Sequence, residues 1–500
     1  MAMRQTSNYL AFDLGAESGR AVLGAFDGET LALSTLHRFA NGPVRVFDGL
    51  YWDVLRLFSE IKAGLGLFRR QAGDTLEGIG LDTWGVDFAL LGRDGQLLAN
   101  PHHYRDARTE GMLEAAFARV PREEIFEATG IQFMEINTLY QLLAMKIKGD
   151  PTLDQADTLL MMPDLFHYWL TGVRACEFTE ATTSQCYDPR AKDWARSLLE
   201  RLGLPTHFLQ PIVPPGTVLG PLHAAVAEEV GLSGVQVIAP ATHDTGSAVA
   251  AVPARGDDFV YISSGTWSLM GVEVREPVIT QESLQYNFTN EGGVFGTFRL
   301  LKNIMGLWLV QECRRTWMQE GQEHSYDELT ALAAQAPAFG PLVDPDCHDF
   351  LRPGDMPARL RAFCARTGQR IPEGKGEIVR CALESLALKY RWVLEKLEHM
   401  LGRRLNVIHI VGGGSQNQLL CQFAADATQR PVLAGPVEAT ALGNILMQAI
   451  ATGRIGSLEE GREVVRRSCA LKAFEPGPAA LWDEAYGRFL HVLTEAPHGE

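Results

Sequence analysis

The sequence predicts an α/β protein built as two domains of similar plan, and three observations carry this. The chain has 500 residues, too many for one ordinary core and enough for two domains of over about 200 residues each. Apolar runs of strand length alternate with longer stretches of helical spacing. A pattern of strand, small-residue turn and strand opens the chain and restarts near its middle.

The opening pattern is an apolar run at 9–12, a turn at 13–20 and a second run at 21–26 closed by Asp27-Gly28. A third strand at 31–39 makes the turn the tip of a hairpin at the edge of a meander. Residues 55–67 have helical spacing, and 78–81 form a short strand that ends in Asp82-Thr83-Trp84-Gly85-Val86-Asp87. The stretch 110–204 reads mostly as helix, interrupted by a polar turn at 179–184. A strand at 235–239 runs into Thr242-His243-Asp244-Thr245, which opens a helix of small residues. The segment 252–258, with Pro253 and Gly256, marks the domain boundary, giving domains 1–252 and 253–500. The pattern then restarts with strand 259–263, turn 264–268 and return strand 269–274. Further on come strand 407–411, the triplet Gly412-Gly413-Gly414, a helix through Ala427, and a small-residue loop and helix over 435–449. The last twenty or so residues are predicted to be peripheral.

Composition narrows the function. With 46% hydrophobic and 21% charged residues the chain is globular and water-compatible. Its net charge of -16, from 45 basic and 61 acidic residues, argues against nucleic acid and against anionic membrane surfaces as partners. A small phosphorylated ligand stays open, because backbone N–H groups and metal ions hold such anions without net basicity. The polar start, 1–8, has no targeting pattern and no run of eighteen apolar residues occurs, so a cytoplasmic location is expected. The eight cysteines form no CxxC pair; reduced, buried thiols are expected, with Cys364 and Cys381 the pair to join if the fold brings them together.

Three small-residue segments carry candidate chemistry. The first turn offers Gly15, Ala16, Ser18 and Gly19, whose backbone N–H groups can approach phosphate oxygens, with the Ser18 hydroxyl and the Arg20 cation beside them. Asp13, at the strand end, is placed to hold Mg²⁺ directly or through water. The second turn, Ser264-Gly265-Thr266-Trp267-Ser268, is its counterpart. Either alone is equally an ordinary glycine hairpin; together they suit a polyphosphate clamp. The glycine triplet leaves backbone room for a flat adenine and its ribose.

These segments, with Tyr104-Arg105-Asp106, Asn137-Thr138-Leu139-Tyr140-Gln141, Thr289-Asn290-Glu291-Gly292-Gly293 and Lys302-Asn303-Ile304-Met305-Gly306, resemble the sugar-kinase branch of the actin-like ATPase superfamily. That branch includes glycerol kinase and xylulokinase, and the resemblance spans nearly the whole chain. It is strongest toward members acting on the ketose L-rhamnulose. It implies two RNase H-like (actin-like ATPase) domains with the active site in the interdomain cleft, the first domain binding sugar and the second nucleotide. The implied reaction is transfer from MgATP to O1 of L-rhamnulose. The implied sugar contacts are Trp84, Gly85, His243, Asp244, Thr245 and Asn303, with Asp244 as base. The implied ATP contacts are Ala16, Glu17, Ser18, Gly19, Arg20, Thr266, Gln311 and Gly413. Glu17 departs from the serine of some relatives, and a carboxylate beside a triphosphate is repulsive unless it points outward or meets Mg²⁺. Other readings stand beside these: Trp84 as plain core, Asp244 as a helix N-cap, and Arg105 and Asp106 as a structural ion pair. The alternative functions are a kinase for fuculose or xylulose and a non-catalytic nucleotide switch. Oligomeric state is left open.

Overall fold

The computed structural model describes residues 6–495. The first five residues of the polar start, and the last five of the chain, lie outside that range. The chain forms two compact units. The first is Met1–Pro253 with Glu273–Leu300 and Ala439–Cys469; the second is Ala254–Val272 with Leu301–Glu438 and Ala470–Glu500.

The first unit is built on six strands: β1 (Ser7–Leu14), β2 (Ser18–Phe26), β3 (Leu31–Ala40), β4 (Gly78–Thr83), β5 (Thr217–Pro221) and β6 (Gln236–Ala239), in the order β5-β6-β4-β1-β2-β3. β1 pairs antiparallel with β2 and parallel with β4, and β4 pairs parallel with β6. β1 and β4 are central strands and are buried on almost every residue, as strands covered on both faces must be. Helix Val54–Gln71 covers one face with Leu57, Ile61, Leu65 and Phe68, its start capped by Asp53, which accepts from Arg56 N. It lies so close that a Cβ at Gly64 would meet Phe12 and Ala21, whereas Gly24, on the other face of β2, faces Ile445 of helix Ala439–Ala451.

The second sheet repeats this plan. Its strands are β7 (Phe259–Ser264), β8 (Trp267–Val274), β9 (Thr289–Gly292), β10 (Phe298–Met305), β11 (Val407–Val411), β12 (Val432–Ala434) and β13 (Lys472–Phe474), in the order β9-β10-β8-β7-β11-β12-β13. As in the first sheet, the opening strand β7 pairs antiparallel with its hairpin partner β8 and parallel with β11. β11 then pairs parallel with β12, and an antiparallel strand, β13, closes the edge.

Two expectations need correction. The 110–204 region holds short helices between Met112 and Arg201, but also strand Thr158–Met161, which pairs with Phe88–Leu91. A four-residue apolar run has too few positions for its period to separate strand from helix. The chain end is not peripheral. Helix Ala480–Glu495 buries Trp482, Tyr486 and Phe489; Trp482 packs on Phe339 and Phe423, and the Tyr486 hydroxyl donates to Glu395 at 2.6 Å. All eight cysteines are free, seven of them buried. Among the described residues no helix is long and apolar enough to cross a membrane.

Candidate active site

In the first unit the carboxyl ends of three neighbouring parallel strands deliver aspartates. Asp13 and Asp82 are register partners on β1 and β4, and Thr83 bridges to His243, the residue before Asp244, beyond the end of β6. Ligands in open α/β sheets gather at such strand ends. Asp13 is tied down by its hairpin partner: Arg20 Nε and Nη2 both donate to its Oδ2, at 2.9 and 2.6 Å. Asp82 is fully buried. Burial first, then the charge of Asp13, push its carboxyl far above the ordinary range, while Asn444 donates to Oδ2 at 2.6 Å. Oδ1 of Asp82 is buried with no partner among the described residues.

The first turn is held from below and open above. Gly15 N donates to Ser18 O at 2.9 Å, and Asn41 fastens the turn through Nδ2 to Gly15 O at 2.7 Å and its N–H to Glu17 O at 3.0 Å. Glu17 and Ser18 are exposed and Ala16 is half-buried. Gly19 is a packing glycine, since a Cβ there would lie 2.2 Å from the Phe39 ring.

The segment 242–245 is fixed by a residue the sequence did not single out. Glu177 is fully buried, and its Oε2 accepts from Thr242 N at 3.0 Å, Thr242 Oγ1 at 2.8 Å and Thr179 N at 3.0 Å, as well as from the Thr179 hydroxyl. Thr179 Oγ1 in turn accepts from His243 N at 3.1 Å. The backbone preceding Asp244 is thereby bolted to the helix Phe178–Ala181. The helix that follows starts at Asp244, with His243 in the cap position and no side-chain cap bond. Asp244 is thus the first helical residue and not the N-cap. Its carboxylate accepts from Thr245 Oγ1 at 3.1 Å and lies 3.5 Å from His243 Nε2. Burial is the largest influence on it and raises its pKa, with Asp13 adding to the rise and His243 opposing it. Behind His243, Nδ1 stands 3.0 Å from Nη2 of the fully buried Arg299.

Gly85 and Trp84 differ. Gly85 is half-open, its would-be Cβ 3.0 Å from Thr183. The next residue, Val86, sits at φ 70°, a conformation costing a β-branched residue on the order of 1–3 kcal/mol. It is held there by Val86 N donating to Thr183 Oγ1 at 3.0 Å and by Thr138 Oγ1 donating to Val86 O at 2.5 Å. Trp84 is 5% exposed, stacked on Trp52 with centroids 3.8 Å apart, and donates Nε1 to Asp87 at 3.0 Å. One indole face is thus already occupied by protein.

The second unit assembles the remaining candidates around its own hairpin. Leu307 N and Trp308 N donate to the carbonyls of Gly265 and Thr266 at 3.2 and 3.1 Å, so helix Trp308–Gln319 begins on the turn. Gly306 permits this, because a Cβ there would lie 2.5 Å from Ser268 Oγ. Gln311 follows one turn later, its Oε1 buried with no partner among the described residues. Of the glycine triplet, Gly412 (φ 83°) and Gly414 pack against Ser264, where Cβ atoms would meet it at 3.0 and 2.0 Å. Gly413 alone is exposed and faces open space. Asn303 is half-buried on β10. Its neighbour Lys302 is buried, and burial pushes its ammonium down to about 8.

Among the described residues no three His, Cys, Asp or Glu side chains gather as metal ligands do.

The models of the N- and C-terminal domains of the FGGY family of carbohydrate kinases match residues 8–251 and 260–452. A rhamnulokinase of Bacteroides thetaiotaomicron is 46% identical over 97% of this chain and 99% of its own length. One of Halalkalibacterium halodurans is 42% identical over 93% and 98%. Among solved structures, gluconate kinase from Lactobacillus acidophilus has a TM-score of 0.81 at 18% identity, covering 99% of both chains. Plasmodium falciparum glycerol kinase with ADP has a TM-score of 0.76 at 15% identity, again covering 99% of both chains. These two show a shared fold. The chain belongs to the FGGY family of carbohydrate kinases, in its rhamnulokinase branch.

Proposed function

We propose that this chain transfers the γ-phosphoryl group of ATP, with Mg²⁺, to O1 of L-rhamnulose in the cytoplasm. For the substrate the support is the 46% identity to a rhamnulokinase along nearly the entire chain. For the chemistry the carrying observation is Asp244, a carboxylate at a helix start whose Oδ1 takes the Thr245 hydroxyl at 3.1 Å and lies 3.5 Å from His243 Nε2. Such a group can orient a sugar hydroxyl and take its proton as the bond to phosphorus forms. Its pKa is raised by burial, which strengthens it as a base.

Asp13 and the backbone of 16–19 serve the phosphates. Arg20 occupies one oxygen of Asp13, and Oδ1 is the oxygen offered to Mg²⁺ or to one of its waters. Gly85, His243, Thr245 and Asn303 contact the sugar, with Trp84 bordering it. Thr266, Gln311 and Gly413 contact the nucleotide. Glu17 turns outward from the triphosphate, which its exposure allows.

The test is ADP release across a panel of sugars. L-rhamnulose should give a higher kcat/KM than L-fuculose, D-xylulose or glycerol, and a better rival ends the substrate assignment. Asp244→Asn should lower kcat on the order of 10²–10⁴-fold with KM for sugar little changed. Wild-type turnover in that variant would remove Asp244 as base.

A further inference from the structure

Behind His243 lies a buried charge pair. Arg299 is 0% exposed, Glu291 4% and His243 6%. Arg299 Nε donates to Gly292 O at 2.7 Å, and its Nη2 reaches Glu291 Oε2 at 3.2 Å and His243 Nδ1 at 3.0 Å. A guanidinium has five N–H donors and no acceptor, and it stays charged in proteins. A ring nitrogen 3.0 Å from Nη2 must therefore present its lone pair. The Nη2 group has two hydrogens, one for the carboxylate and one for the ring. The rival arrangement puts the proton on Nδ1 facing Glu291 Oε2 at 3.3 Å, and sets an N–H head-on against the closer guanidinium.

We propose that Arg299 and Glu291 are positioning residues that hold His243 as its Nε2–H tautomer, with that hydrogen directed along the edge of Asp244. Nε2 stands 3.5 Å from Asp244 Oδ1, too far for a good direct bond and close enough for neighbouring oxygens of one ligand, placed beside the two, to meet both. The site then offers one fixed donor and one fixed acceptor side by side. A sugar that sets a hydroxyl as donor to Asp244 and an adjacent oxygen as acceptor at His243 satisfies both. With the proton on Nδ1, that donor would become an acceptor and the same sugar would lose a bond. Fixing the tautomer through the second ring nitrogen is a general device. Here the fixing group is a cation, which cannot reverse its role. This inference rests on reading His243 and Asp244 as the sugar site.

The test uses the full chain labelled with ¹⁵N-histidine, the His243 signals being identified by their loss in His243→Gln. Two-bond ¹H–¹⁵N spectra should show Nε2 carrying the hydrogen and Nδ1 bare. A hydrogen on Nδ1 in the wild-type protein overturns the proposal without any variant needing to fold. The double variant Arg299→Met/Glu291→Met removes the pair without leaving one charge buried alone. In it the single tautomer should be lost and KM for sugar should rise about tenfold, the loss of one hydrogen bond. Adding His243→Gln to it should cost little more, because the pair acts through that ring. Retention of the Nε2–H form and wild-type KM in the double variant also overturns it. Failure of the base assignment reads out separately, as wild-type turnover in Asp244→Asn with the His243 spectrum unchanged.

Discussion

Replacing Asp87 by Asn should change how stability depends on pH. Asp87 is fully buried; its Oδ2 accepts from Trp52 Nε1 at 2.6 Å, Trp84 Nε1 at 3.0 Å and Tyr104 N at 3.1 Å, and its Oδ1 from Gln141 Nε2 at 2.8 Å. Burial outweighs these donors and raises its pKa from 3.8 to about 6. The folded state therefore holds this proton more tightly than the unfolded chain does. The associated stability is fully present below the unfolded value and is lost as pH rises through about 6. A rise of about two pH units corresponds to roughly 3 kcal/mol at neutral pH. Asn cannot titrate, so the stability of Asp87→Asn relative to wild type should climb by that amount between pH 4 and pH 8. Asn keeps an acceptor for both indoles but turns an NH₂ toward Gln141 Nε2, while Gln141 Oε1 already takes Arg108 Nη2 at 2.6 Å. That conflict lowers the stability of the variant equally at every pH and leaves the slope untouched. Urea unfolding followed by tryptophan fluorescence reads the difference, with Trp52 and Trp84 as local reporters. A stability difference that is flat from pH 4 to pH 8 would show that Asp87 is not the titrating group described.

Three further outcomes can be checked directly. Asp13→Ala should lower turnover roughly 10–100-fold, as loss of a group that orders a metal's water shell does, and added Mg²⁺ should restore part of it with sugar KM unchanged; normal turnover at ordinary Mg²⁺ would contradict it. Gly443→Ala places a Cβ 1.7 Å from Ser247 O in the helix that Asp244 begins, so it should cost about 1–3 kcal/mol or more by overpacking, seen as a lower thermal midpoint. Gly413→Ala should leave the thermal midpoint unchanged and raise KM for ATP several-fold, whereas Gly414→Ala, facing Ser264 Oγ at 2.0 Å, should lower the midpoint; equal melting of the two would refute the separation of their roles.

Much of the fold was legible because its signals are local. The two hairpins, strand Val407–Val411 and the helix at Asp244 follow from short apolar runs, glycine turns and one small-residue stretch. What was not legible depends on distant packing. No local pattern marks Ala439–Cys469 as part of the first unit; Asn444 and Gln448 meet Asp82 and Leu10 there only once the chain has folded back. Glu177 and Arg299 carried no signal of their own, since an isolated acid or base in sequence looks like a solvated surface residue. Their importance comes from burial against His243 and Thr242. The three glycines at 412–414 looked alike in sequence. Two of them answer to Ser264 and only Gly413 has open space before it.

The shared strand plan explains why the two units can hold different chemistry. In both, a hairpin strand, an opening strand and two parallel strands lie in the same order, so three strand ends are delivered side by side. The plan fixes where those ends lie and leaves the residues there free. In the first unit they carry Asp13, Asp82 and the Asp244 segment, and crowding acids in a dry place raises the pKa values of Asp82 and Asp244. Such a cluster costs stability unless cations and donors meet it, and Arg20, Asn444 and Thr245 do so at 2.6 to 3.1 Å. In the second unit the same ends carry Ser264, Gly412 and Gly435, with no carboxylate among them. Close packing is possible there, and the backbone ties itself together: Gly412 N donates to Pro436 O at 3.0 Å and Gly435 N to Ile410 O at 2.8 Å. A shared core of four strands thus carries an acidic end in one unit and a small-residue end in the other, the difference lying in a handful of residues at strand termini.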